Sequence, residues 1–81
     1  MNKDKIIKIP LKEFIDCYAQ SLGQEGAEKI VKDAIRRVGY PLQYEYTKEE
    51  AIRILEELQK QPGFVGIIAG ILLSRTYIRN Q

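Results

Sequence analysis

The sequence predicts a mainly α fold: a compact four-helix domain, with a minor two-stranded β ribbon joining residues 5–9 to residues 42–46. Three observations lead there. Apolar residues recur at three- and four-residue spacing through most of the chain, the period of a helix with one buried face. Gly23, Gly39 with Pro41, and Pro62 with Gly63 fall at the joints between these periodic stretches. The 81 residues suffice for a single domain with one core, near the small end of what folds alone.

The elements follow in order. In the N-terminal KIIKI, Ile7 and Ile9 lie on one side and Ile6 and Lys8 on the other, so the segment reads as extended. A first helix is expected over about 10–22. Pro10 suits its first turn, where a missing N–H leaves nothing unsatisfied, and Leu11, Phe14, Ile15, Tyr18, Ala19 and Leu22 form the apolar stripe. Gly23 supplies a left-handed stop. A second helix, about 25–38, carries Ala27, Ile30, Val31, Ala34, Ile35 and Val38 on one face. Glu25 and Glu28 near its start and Arg36 and Arg37 near its end complement the helix dipole. In YPLQYEYT, Leu42, Tyr44 and Tyr46 alternate with Gln43 and Glu45, which is strand periodicity. A third helix, about 48–61, opens on a capping box in which Thr47 accepts from the Glu50 amide and Glu50 reaches back. Ala51, Ile54, Leu55 and Leu58 make its buried stripe, and Pro62-Gly63 ends it. The fourth helix spans about 63–78.

Composition excludes several function classes. Thirteen basic residues against eleven acidic ones leave a formal charge of +2, too little to imply nucleic acid, and the signs are interspersed. There is no histidine, and Cys17 is the only cysteine, so neither an intrachain disulfide nor a closed zinc site is available. No metal, no cofactor and no catalytic residues are expected. Ser21 and Ser74 have no base nearby in sequence, and GQEGAEK at 23–29 lacks the Gly-Lys-Ser/Thr ending of a phosphate loop. Cys17 lies beside the apolar stripe of the first helix, where a thiol acts as a small, inert core residue. The segment MNKDKIIKIP lacks the apolar core of a signal peptide. With a single cysteine, the expected address is cytoplasmic.

The run KIIKIPLKEF, followed by two helices, resembles a ribbon-helix-helix repressor over residues 3 to 38. That resemblance implies a short strand entering the DNA major groove. Two departures weigh against it. The first helix is about a turn shorter than in most of that family, and the start of the second, where the family clamps a phosphate, holds Glu25 and Glu28. A helix-turn-helix is similar in the separation of Ala19 and Gly23. Lys29 and Lys32 then fall where that motif wants buried aliphatics. A small dimeric DNA-binding regulator is therefore the second reading, and nucleic acid is not the expected partner.

The first reading comes from the most apolar stretch, GFVGIIAGILLSR. Wound at about 100° per residue, it places Gly66, Gly70 and Ser74 on one ridge flanked by Leu73 and Tyr77. Phe64, Ile67, Ile71 and Ile78 cover the next sector. A helix apolar all round is a membrane span or is enclosed by protein. This run is about half of the ~20 residues that a span needs. Each interior glycine costs about 1 kcal/mol relative to alanine, which close helix packing would offset. The expected interface is Phe64, Gly66, Ile67, Gly70, Leu73, Ser74 and Tyr77, packed within the chain or across a homodimer. Tyr40, Tyr44 and Tyr46 are a second candidate patch for a ligand or protein partner, since tyrosine is common at interfaces. The chain is thus expected to be a non-catalytic helical interaction module, self-associating through its last helix.

Overall fold

In a computed structural model of the chain, which describes residues 7–79, three helices and a small antiparallel sheet follow the order β1 (Lys8–Pro10), α1 (Leu11–Arg37), β2 (Glu45–Thr47), α2 (Lys48–Gln59) and α3 (Phe64–Ile78). The helix count differs from the expected four. Gly23 does leave the helical region, at φ 79 and ψ 168. The chain re-enters the helix at once, without a loop, so the two expected helices are the two arms of one kinked 27-residue element. Glycine alone takes such a backbone without strain.

The arms bury different residues. Phe14, Ile15 and Tyr18 of the first and Ala27, Val31, Ala34 and Ile35 of the second enter the core. The second arm closes in a Schellman motif. The Tyr40 amide donates to the Ile35 carbonyl at 3.1 Å and the Gly39 amide to that of Arg36 at 3.0 Å, with Gly39 at φ 85.

The ribbon forms, but its strands begin three residues later than expected and end one residue later. Its register pairs Lys8 with Thr47, Ile9 with Tyr46 and Pro10 with Glu45, and the Leu11 amide extends it with a bond to the Tyr44 carbonyl at 2.8 Å. Residues 5 and 6 of the expected strand lie outside the described residues. The shift has a packing cause: Ile9 and Tyr46, the facing pair, are both buried in the core. The Tyr46 hydroxyl also shapes residues 41–43 into a bend, donating to the Pro41 carbonyl at 2.7 Å and accepting from the Gln43 amide at 2.9 Å. That bend takes residues 42 and 43 out of the ladder.

The capping box of α2 is present in both directions, with the Glu50 amide donating to Thr47 Oγ1 at 3.2 Å and the Thr47 amide to Glu50 Oε1 at 2.9 Å. Ala51, Ile54, Leu55 and Leu58 are its buried stripe. After the short turn at Pro62 and Gly63, α3 folds back along α2, and these two make the most extensive helix contact in the molecule. The first arm of α1 completes the core. Its Tyr18 is fully buried and donates to the Val65 carbonyl at 2.6 Å. Burial pushes this phenol up to about 12, with the neighbouring Cys17 thiol a smaller contribution. Where α3 ends, the Lys48 ammonium donates to the Tyr77 and Arg79 carbonyls at 3.2 and 2.9 Å, and Arg79 pairs with Glu13 at 2.6 Å. The start of α1, the start of α2 and the end of α3 are thereby tied at one corner.

Candidate interaction surface

α3 contains a single charged residue, Arg75, among its fifteen. Its core side is Ala69, Leu72, Leu73 and Thr76, spaced as one helical face. Thr76 is tolerated there because its hydroxyl donates to the Leu72 carbonyl at 2.8 Å. The opposite side is apolar as well. Phe64 is 41% exposed, Ile67 66%, Ile71 49% and Ile78 75%, with Tyr77 at 54% on the border. Ser74 and Arg75 complete the outer face and are also exposed. An exposed leucine or isoleucine in isolation is ordinary, whereas a contiguous row of them along one helix is not.

The expected interface residues separate into two groups. Phe64, Ile67, Ser74 and Tyr77 are exposed, whereas Leu73 is buried in the core. Gly66 faces the chain's own α2–α3 turn. A Cβ built on it would overlap the Gln61 carbonyl oxygen and stand 2.9 Å from that of Gln59. The absent side chain thus allows α3 to approach the backbone at the end of α2. Gly70 lies higher on the same ridge, where an added Cβ would stand 3.2 Å from the Gln59 amide nitrogen Nε2. The glycine ridge therefore packs within the chain at its lower end, and the accessible surface is the next sector round. Ile71 and Ile78 belong to that surface and were missed as interface residues. Their placement in one sector with Phe64 and Ile67 was the available signal, and the glycines drew the assignment away from it.

The three tyrosines do not form one patch. Tyr46 is buried, Tyr40 is half-buried and stacks on it with ring centroids 6.5 Å apart, and Tyr44 is 94% exposed. Two of them cover the helical core. Tyr44 and the exposed Leu42 border a shallow apolar groove with Leu11 and Ile15.

The charged side chains are mostly engaged locally. Lys12 pairs with Asp16, Lys32 with Glu28, Arg36 with Asp33, and both Arg37 and Lys60 with Glu57. Hydrogen bonds from Arg37 and Lys60 hold the Glu57 carboxyl below its ordinary range. Among the described residues, this interleaving leaves no continuous basic face of the kind that tracks a phosphate backbone. The short strand available to a ribbon-helix-helix reading is β1, and it is paired with β2 inside the chain. Cys17 is half-buried beside the core stripe of its helix. Burial raises the thiol's pKa, an effect that the Arg75 charge opposes and those of Glu13 and Asp16 reinforce. Among the described residues no three acidic or sulfur side chains converge as metal ligands, and no helix is long and apolar enough to cross a membrane.

No protein-family model, curated protein or solved structure matches the chain.

Proposed function

We propose that this protein is a non-catalytic helical interaction module that self-associates through the outer face of α3. One observation carries the reading: Phe64, Ile67, Ile71 and Ile78 form a row that is 41–75% exposed on the side of α3 opposite its core face. Fully burying such a side chain is worth about 1.5–3 kcal/mol. Four of them, each about two-fifths to three-quarters exposed, offer an association energy comparable to the whole net stability of a small domain. Among the described residues outside α3, the exposed large apolar side chains are Leu22, Leu42 and Tyr44, and none of these lies in a row along one helix face. The mixed charges suit solubility more than recognition of a polyanion.

Sedimentation velocity or light scattering tests this directly. Wild-type protein is expected at twice the chain mass at roughly 100 µM, where even a Kd of ~10 µM leaves most chains paired. Ile71→Glu places a charge at the middle of the row and is expected to give monomers with unchanged helical circular dichroism. Monomeric wild-type protein at that concentration would refute the reading.

A further inference from the structure

The outer row of α3 has an order that its composition does not require. Counted from Ile71, the positions Phe64, Ile67, Ser74 and Ile78 stand at −7, −4, +3 and +7. This is heptad spacing, with Phe64, Ile71 and Ile78 at one seam position and Ile67 and Ser74 at the other. The pattern reads nearly the same in both chain directions. We propose that two copies of this chain pair α3 against α3 in antiparallel sense, about a two-fold axis passing close to Ile71. The inference rests on the self-association reading and adds the partner's direction and register.

The area suits a second copy. Taking on the order of 200 Å² for each fully exposed residue, the fractions for Phe64, Ile67, Ile71 and Ile78 leave roughly 450 Å² accessible on one face. A two-fold pairing buries about twice that from these residues alone. The flanking Ser74 and the stem of Arg75 bring the total to the ~1,000 Å² that marks a specific interface. A two-fold contact uses the same patch on both subunits, so a self-complementary row is what it requires.

Volume and charge select the direction. Antiparallel pairing sets Ser74 beside the second copy's Ile67, so that a small side chain faces a large one, and brings Phe64 opposite its Ile78. Parallel pairing would set Ser74 against Ser74 and leave a gap between two small polar groups inside an apolar seam. α3 holds no acidic residue to offset Arg75. Parallel pairing keeps both Arg75 side chains at one height. Antiparallel pairing separates them by about 12 Å along the seam, beyond the ~8–10 Å screening length at physiological salt. It also opposes the two helix dipoles.

Cysteine scanning in a Cys17→Ser background decides the matter. A disulfide needs Cα atoms within about 7 Å. Near the axis, Ile71→Cys meets its own copy, so mild oxidation is expected to convert more than half of the chains to covalent dimer. The two copies of position 64 would lie about 21 Å apart along the seam. Phe64→Cys alone and Ile78→Cys alone are therefore expected to cross-link in less than a tenth of chains, whereas a co-refolded mixture of the two cross-links readily. Phe64→Cys and Ile78→Cys each cross-linking as fully as Ile71→Cys would overturn the antiparallel sense while leaving self-association standing. A dimer by sedimentation in which none of the three cross-links would overturn the register. A wild-type monomer would overturn both readings, including one that floats with phosphatidylcholine–phosphatidylglycerol vesicles and so assigns the face to lipid.

Discussion

Gly66→Ala and Gly70→Ala, four residues apart on one ridge, are expected to change stability in opposite directions. Both replace glycine in a helix interior, which by propensity alone stabilises by up to about 1 kcal/mol. At Gly66 the new Cβ would overlap the Gln61 carbonyl oxygen and stand 2.9 Å from that of Gln59. Both obstacles are backbone at the end of α2, so no rotamer change relieves them. Either α3 lifts away from α2 or the 59–61 turn moves. Overpacking costs about 1–3 kcal/mol; two immovable backbone atoms put this case in the upper part, about 2–3 kcal/mol, and with the propensity gain of about 1 kcal/mol set against it the net loss is about 1–2 kcal/mol. At Gly70 the nearest obstacle is the end of the flexible Gln59 side chain, at 3.2 Å. A small rotation clears it, and the propensity gain of about 0.5–1 kcal/mol prevails. In a domain of this size each kcal/mol moves Tm by about 4–8 °C. Gly66→Ala is therefore expected to melt roughly 5–15 °C below wild type and Gly70→Ala a few degrees above it. Urea and thermal unfolding followed by circular dichroism measure this, at one fixed chain concentration because association makes Tm concentration-dependent. The reasoning fails if Gly66→Ala is as stable as wild type, or if Gly70→Ala is the more damaging of the two.

Two further outcomes follow from the core. Tyr18→Phe removes the bond to the Val65 carbonyl and is expected to cost about 1 kcal/mol at pH 7, read as a lower urea midpoint. Because the folded-state phenol is raised from 10.0 to about 12, the folded chain holds its proton where the unfolded chain has lost it. Tyr18's contribution is thus complete below pH 10 and is lost as pH rises toward 12. Wild-type protein should lose stability faster than Tyr18→Phe across that window, and parallel pH profiles would contradict the assignment. Cys17, with its thiol raised by burial, is expected to react with a maleimide at least about tenfold more slowly in native protein at pH 7.5 than in urea; equal rates would show an accessible, activated thiol.

The local signals were legible because each is satisfied within a few residues. The Thr47–Glu50 box, the Gly39 stop and the buried stripe of α2 depend on spacing alone, and the structure has all three. The helix count was not legible. A left-handed glycine ends a helix only if the next residues cannot restart it, and residues 24–37 restart at once after Gly23. The ribbon was readable as a pairing but not in register, because the register is set by where Ile9 and Tyr46 meet in the core and by a hydroxyl bond back to Pro41. In α3 the periodicity was uninformative, since an all-apolar helix gives no preferred face. Which side is covered was decided by the position of α2, and the close approach at Gly66 is a contact with a neighbouring backbone that no spacing rule encodes. The exposed row could be listed from the sequence as a sector, but not recognised as the outward one.

The ties between α1 and α3 bear on how the chain is made. Tyr18 reaches a carbonyl 47 residues away and Glu13 a guanidinium 66 residues away. During synthesis, the first arm of α1 is made before either group exists. Its apolar side, Phe14 and Tyr18 included, has to wait while α2 and then α3 are translated. Contacts so distant in sequence close late, and a nascent chain that holds such surface open is the species most exposed to chaperones and to aggregation. Docking of α3 is therefore the step that closes the α1 side of the core. The same helix that seals the core then presents its outer row to whatever lies nearby, including a second copy emerging from the same message.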